Sequence, residues 1–488
     1  MFWIFLVSLL FGTVLLASAV FAYKFYTVSK KVIEVQSPSS FFQGLKQITT
    51  GKKKTLKGEE TGRINILILG IAGKDYPGEN LTDTIMIVSI NPKTYQTALL
   101  SIPRDLYTKI PDTKNYTKIN ALYIHGKEKY GSTASGVENL KKALAEITGL
   151  EINYYIAVDF EGFKKIIDEI GGISVLVPND IHDERYPGPN FTYQTFDVKK
   201  GLQKMDGETA LKYVRTRHDQ NGDFGRAYRQ QQILGAVRQK IFSLKTVLNI
   251  IFLNNILNAL GEHIRTDVPL SDLDSFLDLI KKIDTHITTN EVLDSRGPDS
   301  LLVVSHTALG GVRAYILIPR TGNYSEIQER AKNIFNLDAI RRKKKAIKKE
   351  KATVAIINES GSRSLAGKIK RLLEGFDYET RVVSNKSADK NFTTYETIIY
   401  DMTGGKKPFS VEDISKKLQA KVSFDITTDL TSQCQEDFCL VLGKDLSEIW
   451  DYEENSLEDL ERGYDKQKID EKTYIELLKR GSSKKFVK

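Results

Sequence analysis

The chain has 488 residues, enough for two or more domains with separate cores. Its 71 lysines and arginines against 62 aspartates and glutamates leave a formal charge of +9, too modest at this length to indicate a nucleic-acid partner by itself. Two cysteines, Cys434 and Cys439, exclude a disulfide scaffold and leave open one local bridge or two thiols.

Residues 1–23 are apolar, carry no charged side chain and are long enough to cross a bilayer as one helix. A cleaved signal peptide is the alternative, because Ala17, Ser18 and Ala19 supply small residues near the end of the run. Lys24, Lys30 and Lys31 follow it and no lysine or arginine precedes it, so the positive-inside rule would keep the bulk in the cytoplasm. Composition alone leaves the side of the membrane open.

Residues 24–61 read as a polar, lysine-rich tether. INILILG, from Ile64, has the unbroken apolar character of a buried strand. The loop GIAGKDYPGEN follows and carries Asp75, with Asp83 just beyond it; lacking a Gly-Lys-Ser/Thr ending, it is not a nucleotide phosphate loop. TDTIMIVSI is a second strand, Asn91-Pro92 a turn, and QTALLSI a hairpin partner. Arg104, in SIPRD, stands just past that strand, where loops present functional groups from a rigid sheet. A helix over 137–147, a strand over 153–158, a helix over 160–170 closed by Gly171-Gly172, and the strand ISVLVP come next. Strands alternating with helices, together with the hairpin, predict an α/β domain with a mixed central sheet flanked by helices. His182 and His218 are too sparse for a zinc site.

The stretch YVRTRHDQNGDFGRAYRQQQ, residues 213–232, concentrates the charge. On extended backbone, Arg215 and Arg217 would send both guanidinium groups to one face. Residues 224–242 read as a helix with Arg226 and Gln230 on one side. Several planar forks beside Asp223 suit a multiply charged anion, though a surface salt-bridge network is the better reading of the stretch taken alone. The apolar runs 242–260 and 270–283 have helical spacing and suit a core or the wall of a lipid groove. Residues 312–318 make the last strand of this domain. RRKKKAIKKEK, residues 341–351, is a charged boundary, read first as solvated linker or helix end and second as a lure for anionic polymer or lipid. VAIINES, from Val354, opens a smaller α/β domain that closes near FCLVLGKDL, and a charged tail follows. No catalytic constellation is visible in that second domain.

NILILG, Asp75, TDTIMIVSINPKT, ALLSIPRD, KINALYIHG, GVENL, YYIAVDFEGFKKIIDEIGGISV, GLQKMDGETALKYVRTRHD and GDFGRAYRQQQ occur in an order that resembles the LytR-CpsA-Psr family of cell-envelope proteins. The similarity is nearly continuous from about residue 63 to 238, with trailing elements to about 327, and residues 354–446 resemble the small C-terminal domain of many members. The resemblance implies an anchor at 1–23, a tether at 24–61, a catalytic domain at 62–330, a basic linker at 331–351, a LytR-type domain at 352–446 and a tail at 447–488. It implies a single-pass membrane protein with its bulk outside the cytoplasm, moving a glycopolymer from a polyprenyl-diphosphate carrier to peptidoglycan or another envelope acceptor. A polyprenyl-diphosphate pyrophosphatase or phosphatase, and a non-catalytic envelope-binding or regulatory protein, are the alternatives. No nucleic-acid partner is expected, since no recognition helix is visible, and the oligomeric state is left open.

By position, Asp75 and Asp83 match acidic residues associated with Mg2+, with Mn2+ as an alternative. Arg104, Arg215, Arg217 and Arg226 match the phosphate-binding arginines, with Gln230 as polar support. Asp75, Arg104, Arg217 and Arg226 carry the expected catalytic roles, and Asp105 and Asp223 are candidate supports. The chain departs from the family's frequent Gly-Arg-Ser-Asp at Asn80-Leu81-Thr82-Asp83, losing one positive charge, and Asp75 sits in an unusual GIAGKDYPG loop.

Overall fold

The computed structural model describes residues 54–448 apart from 75, 77, 188–191, 217–221, 244–260, 262, 284–287, 298, 310–311 and 386–393. Contacts divide these into two compact units: 54–104, 123–141 and 151–292 in the first, and 105–122, 142–150 and 293–448 in the second. The apolar run at 1–23 lies outside the described residues, among which no helix is long and apolar enough to cross a membrane.

The first three strands are β1 (Ile64–Ile71), β2 (Thr82–Ile90) and β3 (Thr97–Ile102). The apolar runs explain their place: every residue of β3 is buried, as are Ile64, Leu67 and Leu69 of β1. β4 (Tyr107–Lys109) and β5 (Tyr116–Lys118) form a small hairpin in the second unit. β6 (Tyr154–Asp159) lies parallel to β1, and the helix Phe160–Glu169 follows it directly, N-capped by Asp159. β7 (Ile173–Val177) pairs with β10 (Gly201–Met205) apart from the central sheet, and β8 (Ile181–Pro187) pairs with β9 (Tyr193–Val198) as a ribbon. β7 alternates buried and exposed residues, so it covers a core with one face and leaves the other to solvent. With β11 (Ile264–Thr266) and β12 (Thr288–Val292), the central sheet has the order β11-β6-β1-β2-β3-β12. Its β1–β2 and β2–β3 pairs are antiparallel and its β1–β6 and β3–β12 pairs parallel, which makes it the expected mixed sheet.

In the second unit, β13 (Leu302–Leu309) and β14 (Val312–Pro319) form a long antiparallel hairpin. β15 (Thr353–Asn358), β16 (Glu379–Asn385), β17 (Ile398–Asp401), β18 (Lys421–Ser423) and β19 (Phe438–Leu442) make a sheet ordered β16-β15-β19-β17-β18. Val354, Ile356, Ile369, Leu373, Ile414 and Leu440 close its core. The charged boundary is helical: Leu337–Glu350 buries none of its residues and ends on Lys351 in the left-handed region. Cys434 and Cys439 are joined by a disulfide and both are buried.

Candidate functional site

The ends of β1, β3 and β6 and the start of β2 converge at one edge of the central sheet. Because β2 and β3 run antiparallel with Ile85 opposite Ile102, Asp83 near the start of one meets Arg104 just beyond the other. An Arg104 Nη1 donates to Asp83 Oδ1 at 2.8 Å, with the side chains 20% and 26% exposed. Asp105, the next residue, lies in the second unit and forms a 2.6 Å ion pair with Lys118.

The loop from β1 to β2 is closed by a hydrogen bond from Gly73 N–H to the Glu79 carbonyl at 3.1 Å. Gly73 has φ of +88°, and a Cβ there would meet the Asp159 Cβ at 2.8 Å, so only glycine fits this turn against β6. Asp75 itself lies outside the described residues. Tyr76, in the same loop, donates from its phenol to Glu161 Oε1 at 2.9 Å and meets the Phe160 ring edge-on at 5.1 Å. Burial first, and then the bond to Glu161, raises the Tyr76 phenol above its ordinary range. The hydrogen bond from Lys164 is the leading cause that lowers the Glu161 carboxyl.

Beside this loop, Asp159 serves two groups. Its Oδ1 accepts from Gly162 N–H at 2.8 Å, and its Oδ2 lies 2.9 Å from His263 Nδ1. Lys165 Nζ approaches His263 Nε2 at 3.0 Å. An ammonium can only donate, so Nε2 accepts and the ring proton sits on Nδ1, facing Asp159.

Arg215 is the last residue of the helix Gly207–Arg215, not part of an extended pair. Helical spacing wins because Ala210, Leu211 and Val214 bury one face, while Asp206 caps the N-terminus by accepting from Thr209 N–H. The Arg215 Cζ stands 4.4 Å from the Phe160 ring centre, 5.6 Å from that of Tyr186 and 5.8 Å from that of Tyr76. An Nη1 donates to the Tyr186 hydroxyl at 3.3 Å, and among the described residues no carboxylate pairs with this guanidinium. A planar cation held by rings keeps its charge and most of its N–H groups for an anion.

The following helix, Gly222–Ser243, carries Arg226 and Gln230 one turn apart, as their spacing requires. Arg226 is buried and Gln230 half-buried. Arg217 and the side chain of Asp223 lie outside the described residues. Arg229, 5% exposed, turns out to be structural: it donates to the carbonyls of Tyr213 and Thr216 and so closes the C-terminus of the Arg215 helix. Gln231 donates from Nε2 to Ser101 Oγ at 2.8 Å and to the Glu291 carbonyl at 2.9 Å, tying this helix to β3 and β12. His182 sits exposed on the β8–β9 ribbon between Asp197 and Glu184.

Asp83 and Arg104 are thus in direct contact, and Arg215 is reached from the same loop through Tyr76. Sequence reasoning had marked Arg215 but not Tyr76, Phe160, Glu161 or Tyr186, which come from a loop, a helix and a strand without shared periodicity. Asp83 offers one carboxylate oxygen-donor group, paired with Arg104, and Mg2+ commonly takes one or two carboxylates with phosphate and water. Among the described residues no cluster of three or more metal-ligating side chains occurs.

The sequence matches the family model described as the LytR_cpsA_psr family over residues 29–330, and that described as LytR cell envelope-related transcriptional attenuator over 351–446. It is 30% identical over 308 residues to the polyisoprenyl-teichoic acid–peptidoglycan teichoic acid transferase TagU of Bacillus mycoides, covering 62% of this chain and 88% of that one. To the regulatory protein MsrR of Staphylococcus aureus it is 33% identical over 214 residues, 43% of this chain and 58% of that protein. The crystal structure of B. subtilis TagV aligns at 27% identity and a TM-score of 0.42, covering 56% of this chain and 97% of that one.

Proposed function

The chain belongs to the LytR_cpsA_psr family, and from that premise we propose that it transfers a glycopolymer from a polyprenyl-diphosphate carrier to peptidoglycan or another envelope acceptor. The observation that carries this reading is Arg215: a guanidinium stacked among three aromatic rings with no carboxylate partner among the described residues. An arginine paired to an acid would serve a structural network equally well; one held only by rings and a phenol is poised for an anion.

In the proposed reaction Arg215, with Arg104, Arg217 and Arg226, grips the nonbridging oxygens of the donor diphosphate. An acceptor hydroxyl oxygen attacks the phosphorus that bears the glycan. The bond from that phosphorus to the bridging oxygen breaks, the hydroxyl proton is released, and polyprenyl phosphate departs. The product is a phosphodiester between glycan and acceptor. The arginines stabilise the charge that builds on the leaving phosphate. Asp75 and Asp83 would hold Mg2+, which when bound neutralises part of the diphosphate charge. Because the donor is a membrane lipid, we also propose that residues 1–23 anchor the chain with its bulk outside the cytoplasm.

The test incubates the full-length chain in detergent with a lipid-linked glycan, Mg2+ and peptidoglycan fragments, with mass analysis of the products. Transfer yields a fragment heavier by the glycan phosphate, together with polyprenyl phosphate. Release of free glycan phosphate with no addition to the fragment would overturn the transferase reading in favour of a hydrolase.

A further inference from the structure

Lys127 is a half-buried lysine with an unusual partner. Other lysines of low exposure are neutralised by acids: Lys118 by Asp105, Lys141 by Asp267 and Lys164 by Glu161. The Lys127 ammonium instead donates to the side-chain oxygen of Asn80 at 2.8 Å, and among the described residues no carboxylate pairs with it. Asn80 stands three residues before Asp83, at the end of the loop that carries Tyr76. An amide oxygen orients an ammonium while leaving its charge and two of its three N–H donors unspent.

The backbone beneath Lys127 is also fixed. Its helix, Leu122–Tyr130, touches the helix Thr133–Thr148 through glycines. A Cβ on Gly126 would lie 2.4 Å from the Ser135 carbonyl oxygen, and one on Gly136 would lie 2.6 Å from that of Tyr123. Lys127 follows Gly126 directly, so this close contact sets where its side chain starts. On the loop itself, Leu81 next to Asn80 is apolar and buried and brings no charge.

We propose that Lys127 is a donor-binding cation, holding the lipid-linked diphosphate at the Asn80 side of the site and favouring diphosphates over monophosphates. The assignment rests on reading this sheet edge as a diphosphate site. Arg104 shares its charge with Asp83, so a second phosphate brought there gains most from a cation that no acid among the described residues has neutralised. An ammonium serves this role as a point charge.

Farnesyl diphosphate and farnesyl monophosphate in detergent micelles, titrated into the full-length chain with Mg2+, provide the test. The parent should bind the diphosphate more tightly. Lys127→Gln should weaken diphosphate binding about tenfold and monophosphate binding far less, while Lys127→Arg stays within about threefold of the parent. Asn80→Asp leaves Lys127 in place but gives its ammonium a carboxylate, and should imitate Lys127→Gln. Unfolding midpoints equal to the parent's establish that the variants are folded. If the parent prefers the diphosphate and either Lys127→Gln or Asn80→Asp binds it equally well, the assignment fails and the site reading stands. If the parent binds neither lipid, both fail.

Discussion

A guanidinium and an ammonium carry the same charge, but only the guanidinium presents a plane to aromatic rings and a fork to phosphate oxygens. Arg215 is therefore the residue at which charge and shape can be separated. Arg215→Lys should lower affinity for the lipid diphosphate by at least about tenfold, with an unfolding midpoint close to the parent's, as measured by titration and thermal melting. The neighbouring Glu161 makes a pH prediction. Its carboxyl is lowered chiefly by Lys164, so the stability it contributes is present above the unfolded carboxyl value of about 4.3 and is lost as pH falls through the lower folded value. The melting difference between the parent and Glu161→Gln should persist at neutral pH and vanish in that acid window. A difference unchanged across the window would show that the ion pair does not hold the loop. At this scale the aromatic neighbours were not legible, since Tyr76 and Phe160 meet only because β1 and β6 end side by side.

The Arg215 helix and the helix after it form the element on which the site depends. Arg229 donates to the last carbonyls of the first helix from the second, and Tyr213 donates to Gln232 Oε1 in return at 2.8 Å. Arg229→Ala should cost about 3 kcal/mol of unfolding free energy, because buried carbonyls lose a charged donor, and urea titration measures it. A change under about 0.5 kcal/mol, the range of ordinary surface substitutions, would refute the capping role. Extended backbone would have sent Arg215 and Arg217 to one face, but the buried Ala210, Leu211 and Val214 impose the helical period on Arg215. The helix over 224–242 was read nearly to its ends. The fate of β7 was not legible: an alternating strand says that one face is buried, but not which sheet it joins.

For the whole molecule, the disulfide and the membrane supply the remaining predictions. Bridging Cys434 and Cys439 closes a very short loop, so replacing both with serine should reduce stability by about 2 kcal/mol in the chain-entropy account. Chemical denaturation followed in the second unit measures it, and an unaltered midpoint would refute the contribution. The proposed topology predicts that protease added to intact protoplasts degrades the bulk of the chain, and full protection until lysis would overturn it. The sequence by itself determined the α/β class, the existence of most helices and strands, and the residues that mark the family, because apolar periodicity and short motifs are local properties of the chain. It also showed that Cys434 and Cys439 were available to pair. Only the tertiary structure decided that they do, that Arg229 caps a helix while Arg215 lies among aromatic rings, and that Lys127 reaches Asn80. Those outcomes depend on which groups from distant stretches arrive within about 3 Å of one another, and side-chain partners at that range are set by packing, which no spacing along the chain encodes.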